Sequence, residues 1–413
     1  MQRVVVIGGG VAGLTLAYRV ARAGRGVLVV DSAQRPGGQL GRHTVAGITL
    51  DSGAEAFATR GDAIPTLLAE LGLDDRVVQP AAYPAWLFGA DGRAHPLPAA
   101  SVLGIPGVPL ASDVAAVVGW GAAWRAALDP LIPGLIGAKA DTVGELVRRR
   151  MGTGVLEKLV APVVEGVHSR HPDEVPVSAL GEVPRHMSRG TALAAAVRRV
   201  RDAAPAGSLV ASLDGGLHTL VDALLAGIEK AGGEIVTGTT AELVDEGTVS
   251  LTHANGTVTR ENGRIVIAAP GIAEPATTSP AHLVTIALNA PALADAPRGT
   301  GLLVARGSRV RARALTHLTA KWPWLRERAG STELVRLSYA EPAELSTALA
   351  DASTLLGVPL EAPQVVDHAT VSWSRAQPTE PHPSIPTIGE QASGTGLAAV
   401  IAHAERTAKE LIP

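Results

Sequence analysis

The chain has 413 residues and a mass of 42.1 kDa, with 36 Lys and Arg against 39 Asp and Glu and no cysteine. A formal charge of −3 argues against a polyanion such as nucleic acid as partner; the missing thiols exclude disulfides, thiolate metal sites, a cysteine nucleophile and a flavin attached through sulfur. The length allows two or three domains, and any cofactor is expected to be held without a covalent bond.

A run of β-branched residues from Val4 to Ile7 ends at Gly8, Gly9 and Gly10, and an apolar helix through Val11, Ala12 and Gly13 follows to Ala23. A second strand, Val27 to Val30, ends at Asp31, followed by Ser32. This order is a nucleotide grip. Gly8 permits the tight turn, Gly10 lets backbone N–H groups approach a pyrophosphate, Gly13 lets helix and strand pack closely, and Asp31 can accept from both ribose hydroxyls. The motif begins so near Met1 that a fold starting there, with no signal peptide, is expected.

Next comes Arg35-Pro36-Gly37-Gly38-Gln39-Leu40, a hairpin pattern over 44–50, and Asp51-Ser52-Gly53-Ala54-Glu55-Ala56. A nicotinamide dehydrogenase would continue with another helix and parallel strand. The second diglycine and the Asp-x-Gly-x-Glu turn instead suit an extended dinucleotide, FAD rather than NAD. Residues 99–140 are rich in Ala, Val, Leu, Gly and Trp but interrupted by Asp113, Arg125, Asp129 and prolines. They read as buried helices, or as an apolar surface for a bilayer or a greasy substrate, and not as a membrane span.

Helical spacing covers 142–151 and 155–164, with Arg148-Arg149-Arg150 expected on a solvated face. Gly215-Gly216-Leu217 opens a helix to Ala231, and strands are expected over 234–237 and 241–244. Arg264 to Pro270 reads as a buried strand returning to the nucleotide sheet. Segments near 281–290, 301–305, 332–339 and 365–373 read as a second sheet, and 385–412 as strand, glycine turn and helix. There is no cluster that calls for a metal.

These pieces resemble the FAD-dependent amine oxidase and protoporphyrinogen oxidase superfamily. Asp141 to Arg150, Leu159 to His168 with Pro172-Asp173, Asp91 to Pro98 and Lys321-Trp322-Pro323-Trp324 are similar to segments of its porphyrinogen-oxidising branch. The resemblance implies an α/β fold: a Rossmann-like FAD-binding domain over 1–75, 206–275 and 383–413, an interleaved mixed-sheet substrate domain over 76–98 and 276–382, and a helical domain over 99–205. It implies oxidation of coproporphyrinogen III to coproporphyrin III in haem synthesis, with dioxygen as oxidant. Protoporphyrinogen IX oxidation, amine oxidation on the same fold, and a flavin- or porphyrin-binding protein of low activity are the alternatives. A cytoplasmic location follows, with peripheral membrane contact and a homodimer both compatible.

Carried over residue by residue, the resemblance makes Gly8 to Gly13, Asp31, Ser32, Gly37 to Gln39 and Gly53 to Ala56 contacts of FAD. Ala241 stands where a small apolar residue meets the adenine, Trp373 where a tryptophan lies by the flavin, and Thr395, Gly396 and Leu397 where the last helix points at the isoalloxazine. The family's longer stretch after Trp373 is cut here to nine residues before Pro383, and Ala392 and His168 replace usual aromatics. The shortening predicts a more exposed or more weakly held cofactor. Four propionates on the substrate call for cations around an apolar cavity. Arg60, Arg170 and Lys321 are the candidates, each reading more readily as a surface or structural ion; no catalytic residue is assigned beyond Lys321 as a candidate.

Overall fold

The computed structural model describes residues 2–59, 61–133, 136–137, 139–168, 170–203, 210–377, 380 and 382–412. It has two compact units. The first comprises Met1–Pro80, Leu209–His282 and Val371–Pro413, and the second Ala81–Ser208 and Leu283–Thr370.

The first unit is built on a four-stranded parallel sheet. Val4–Ile7 lies at its centre, between Val27–Val30 and Arg264–Ile267, with Glu234–Val236 beyond Val27–Val30. Strands of the first pair are buried on every residue, as a parallel sheet covered on both faces requires. One cover is the helix layer Val11–Arg22, His218–Lys230 and Leu397–Leu411, whose apolar faces share a core with Val4, Val6 and Val29. The opposite face, Val5, Ile7, Leu28 and Val30, packs on Ala241, Val249 and Leu251 from the antiparallel strands Thr239–Asp245 and Thr248–His253. The hairpin expected over 44–50 is present as Arg42–Val45 and Ile48–Asp51. Around residue 385 there is no regular strand. A single parallel bridge joins Thr387 to Ile267, because Pro383 and Pro386 leave too few N–H groups for a ladder.

In the second unit the expected strands share one seven-stranded sheet, in the order Val365–Ala376, Thr278–Leu288, Glu333–Tyr339, Ala314–His317, Gly301–Val304, Ala85–Phe88, Ala94–Pro96; the first two of these strands belong partly to each unit. One sheet face packs on the Leu345–Leu356 helix through Val284, Ile286, Leu302, Leu315, Val335 and Leu337. A separate core gathers the helices between 112 and 202. Here one expectation is corrected: Arg148 and Arg149 are on the surface, paired with Asp173 and Glu145, but Arg150 is buried. Its Nε meets Asp129 Oδ1 at 2.6 Å and its amino groups donate to the carbonyls of Asp129, Ile132 and Pro133. The Val143–Arg150 helix turns the same face inward at Val143, Leu146, Val147 and Arg150, so helical phase overrides residue type.

Candidate cofactor site

Every residue expected to touch the cofactor lies in the first unit. The Val11–Arg22 helix starts at Gly10 with no side-chain cap and no acidic residue in its first turn, so its leading N–H groups point out as a positive end. The three glycines do different jobs. Gly8 has φ +114° and backbone of Ala268 within 2.8 Å of where a Cβ would be; at Gly13 a Cβ would stand 2.0 Å from Gly8 O. A Cβ on Gly10 would have nothing within 4 Å, and its φ of −69° is ordinary. Gly8 and Gly13 therefore serve the fold, while Gly10 borders open space at a helix N-terminus, which is where a diphosphate fits.

The second diglycine closes over this end. Gly37 N donates to Gly9 O at 2.8 Å, and Gly38 has Gly10 Cα at 3.4 Å from its Cβ position. Gln39 O then accepts from Ala54 N at 3.0 Å, and a Cβ on Gly53 would stand 2.2 Å from that same oxygen, so the 53–56 turn is zipped to the 37–40 loop. Asp51, at the head of that turn, is buried and faces elsewhere: its carboxylate accepts from Leu217 N, His218 N and His218 Nδ1, each at 2.9 Å. It caps the His218–Lys230 helix.

Asp31 Oδ2 accepts from Gly9 N at 2.6 Å and Oδ1 from Ala33 N at 2.7 Å, which sets the carboxylate directly beside the glycine turn. Ser32 is exposed next to it. Asp31 O accepts from Thr239 N, and two residues on Ala241 is buried against Val5, Ile7, Leu28 and Val30. At the other end, the Leu397–Leu411 helix packs on the Val11–Arg22 helix and opens at Gly396, φ +110°, again with no side-chain cap and no acid in its first turn; Thr395 and Leu397 flank it, half-buried. A Cβ on Gly389 would lie 3.9 Å from Ala12 Cβ, so the last glycine turn borders the first.

Trp373 is half-buried, and its Nε1 is buried without a hydrogen-bond partner. The Arg375 guanidinium sits 5.1 Å from its ring centre; burial pulls that guanidinium below its ordinary pKa while Glu390 acts against the shift. Glu390 Oε2 in turn accepts from Gln39 Nε2 at 2.7 Å. Arg375 and Glu390 were not among the residues singled out from the sequence. The available signal was the two-residue spacing of Trp373 and Arg375 on one strand and the position of Glu390 directly after Gly389. An uncapped helix start with open space at Gly10, a second uncapped start at Gly396 and an orphaned indole N–H suit an extended dinucleotide with a polar ring system.

Arg60 lies outside the described residues. Arg170 is exposed and pairs with Glu174 at 3.5 Å. Lys321 is half-buried, its Nζ 5.0 Å from the Trp322 ring centre, and its carbonyl accepts from Ala81 N at 2.8 Å. Its short helix, Leu318–Lys321, is pinned by Glu333, whose carboxylate takes Thr319 Oγ1 at 2.7 Å, His317 Nε2 at 2.8 Å and both Arg326 amino groups. Burial alone would raise the Glu333 pKa, but these hydrogen bonds outweigh it and hold it at about 2.

Residues 11–300 match the family model described as flavin containing amine oxidoreductase. A coproporphyrinogen III oxidase of Mycobacterium leprae (strain TN) is 33% identical over 360 residues, 81% of this chain and 77% of the relative; that of Bacillus subtilis (strain 168) is 25% identical over 78% and 74%. A solved structure from Exiguobacterium sp. 255-15, provisionally described as a protoporphyrinogen oxidase, superposes with a TM-score of 0.83 at 22% identity, covering 100% of this chain and 98% of that one. Putrescine oxidase bound to putrescine shares the fold at a TM-score of 0.64 and 14% identity, over 100% and 99% of the two chains. With most of its length matched, the chain belongs to the flavin containing amine oxidoreductase family and is an FAD-dependent oxidoreductase.

Proposed function

We propose that this protein oxidises coproporphyrinogen III to coproporphyrin III, removing six electrons in three rounds with dioxygen as the terminal acceptor. The observation that carries the reading is the 33% identity to a coproporphyrinogen III oxidase over 81% of the chain, joined to a cradle whose open space and uncapped helix ends fit FAD. Protoporphyrinogen IX is the alternative substrate, since a protoporphyrinogen oxidase of Oryza sativa is also a relative, 28% identical over 240 residues.

Bound FAD supplies a two-electron acceptor that dioxygen regenerates with release of hydrogen peroxide. The residues proposed to hold it are Gly8 to Gly13 at the diphosphate, Asp31 and Ser32 at the ribose, and Ala241 at the adenine. Gly37 to Gln39 and Gly53 to Ala56 line its length, and Trp373 with Thr395 to Leu397 stands at the ring. The uncapped start at Gly396 offers N–H groups to charge that develops on reduction, in a setting that costs no reorganisation. Residues 1–75, 206–275 and 383–413 form the FAD-binding part in this reading, 76–98 and 276–382 the substrate part and 99–205 the helical part. The Trp120–Ala127 helix exposes Trp120 and Trp124, and Leu131 follows; we take this apolar stripe as a peripheral membrane contact of a cytoplasmic protein. Among the described residues no helix is long and apolar enough to cross a membrane. A homodimer is compatible with the same reading.

The test is an aerobic assay of the FAD-loaded protein with chemically reduced coproporphyrinogen III, protoporphyrinogen IX and a panel of amines. Porphyrin fluorescence should rise above the autoxidation rate with about three peroxide molecules per porphyrin, the stoichiometry of a two-electron cofactor used three times. Peroxide formed from amines and not from either porphyrinogen would overturn the proposal.

A further inference from the structure

The seven-stranded sheet has two unlike edges. One is Ala94–Pro96, three residues that finish in a proline, which cannot donate to a further strand. The other is Val365–Ala376, twelve residues with no proline and no lysine. An edge strand presents open N–H and C=O groups that invite another strand, and short length, charge, proline or a bulge normally blunts it. Along Val365–Ala376 alternation exposes Val366, His368, Thr370, Ser372 and Ser374, a row with neither a carboxylate nor a lysine or arginine. Among the described residues no strand pairs with its outer side.

The neighbouring strand, Thr278–Leu288, runs antiparallel to it: Asn289 N donates to Gln364 O at 2.8 Å, His282 Nδ1 meets Ser372 Oγ at 2.7 Å and Gln377 N donates to Thr277 O at 2.9 Å. Gln377 thus turns its backbone groups inward, whereas His368 N donates to the Asp367 carboxylate at 2.8 Å instead of to that strand. Backbone polarity alternates along an antiparallel pair, so positions 366, 368, 370, 372 and 374 turn N–H and C=O outward, with Thr370 at their centre. Two such rows complement each other about a two-fold axis. Centred on Thr370, the antiparallel register sets 366 against 374, 368 against 372 and 370 against itself, and each outward group gains a partner. The charges of the strand, Asp367 and Arg375, lie toward opposite ends, so this register sets unlike charges at diagonal positions where a parallel one would align like with like. We propose that this protein forms a two-fold dimer in which two Val365–Ala376 strands join edge to edge as one continuous sheet. The contact is smaller than that of permanent dimers, so association depends on concentration. The inference is independent of the substrate and gives the homodimer an interface.

Sedimentation velocity of the FAD-loaded protein over a concentration series should show the mass rising from 42.1 kDa to twice that value. Thr370→Pro removes an outward N–H, so the chain should fold as before while the two central bonds between copies are lost, and the dissociation constant should rise about a hundredfold. Thr370→Lys sets two cations face to face on the axis and should act in the same direction, while Thr370→Val should stay within about threefold of the wild type. Because the chain has no cysteine, Thr370→Cys carries a single thiol, which should form a disulfide between copies under mild oxidation. Val366→Cys should not, since its counterpart lies about 27 Å away along the strand. A monomer at every concentration, a dimer indifferent to both Thr370→Pro and Thr370→Lys, or crosslinking as ready at 366 as at 370 overturns the inference. Melting curves and FAD uptake show whether each variant is folded. Should Thr370→Pro not fold, the lysine variant and the two thiol variants, all at exposed side chains, decide it. Porphyrinogen turnover by a strict monomer sinks this inference and leaves the functional reading standing; a dimer inert toward every porphyrinogen does the reverse.

Discussion

Gly8, Gly10 and Gly13 are one motif in the sequence and separate physical requirements in the structure. At Gly8 and Gly13 any Cβ meets backbone at 2.8 and 2.0 Å, so Gly13→Val is expected to prevent folding. At Gly10 φ is ordinary and a built Cβ has nothing within 4 Å, so Gly10→Val puts its methyl groups into the space assigned to the diphosphate without straining the chain. We expect Gly10→Val to fold with a melting midpoint within about 2 °C of the cofactor-free wild type, since surface changes away from special features are worth at most about 0.5 kcal/mol. It should also lose FAD affinity by at least about a hundredfold, because the diphosphate can no longer reach the helix N–H groups. Thermal melting and FAD fluorescence titration read the two quantities separately. A Gly10→Val protein that still binds FAD tightly would show that the diphosphate lies elsewhere.

At the scale of elements, the Asp129–Arg150 pair decides how the helical part of the second unit holds together. Asp129 Oδ2 accepts from Ala194 N at 2.8 Å at the start of the Leu193–Asp202 helix, while Oδ1 takes Arg150 at the end of Val143–Arg150. One carboxylate thus ties two helices to the turn at 129–131. Both side chains are buried, so removing either leaves an uncompensated charge, and Asp129→Ala or Arg150→Met alone should each cost about 3–5 kcal/mol. The double variant should cost clearly less than the two single losses together, which a double-mutant cycle by urea unfolding measures; strict additivity would mean that the two charges are not coupled. Sequence reading set Arg150 on a solvated face because three consecutive arginines look alike as residue types. The periodicity did contain the answer, since Arg150 continues the Val143, Leu146, Val147 stripe. Its partner, 21 residues away in a turn, left no local mark. The same contrast runs through the cofactor site: the glycine grip, the second diglycine and the returning strand Arg264–Ile267 are legible because each is a local pattern with a steric cause. The links among Gln39, Glu390 and Arg375 depend on register between distant segments. The outline of the second sheet was also legible from strand runs, but its strand order was not, because nothing in a run of Val and Leu names its neighbour.

For the whole molecule, the decisive feature is that the first unit is assembled from three separated stretches of chain, 1–80, 209–282 and 371–413. Val4–Ile7 has no complete sheet until Arg264–Ile267 pairs with it, and the helix layer above is not closed until Leu397–Leu411 packs on Val11–Arg22. The proposed FAD contacts are distributed in the same way, with residues from each stretch. A ligand that binds only the assembled unit stabilises it by mass action, about 2.7 kcal/mol when free FAD is a hundred times its dissociation constant. We therefore expect the melting midpoint of the wild type to climb with the logarithm of FAD concentration, by several degrees at that excess. Hydrogen exchange should slow in all three stretches at once, in the helix layer as well as in the loops proposed to touch the cofactor, because none of them can open without breaking the shared core of Val4, Leu14, Leu224 and Ile401. Protection confined to residues 4–40 would mean that the diphosphate grip binds by itself, and that the turns at 53–56 and 389–397 take no part in holding the cofactor.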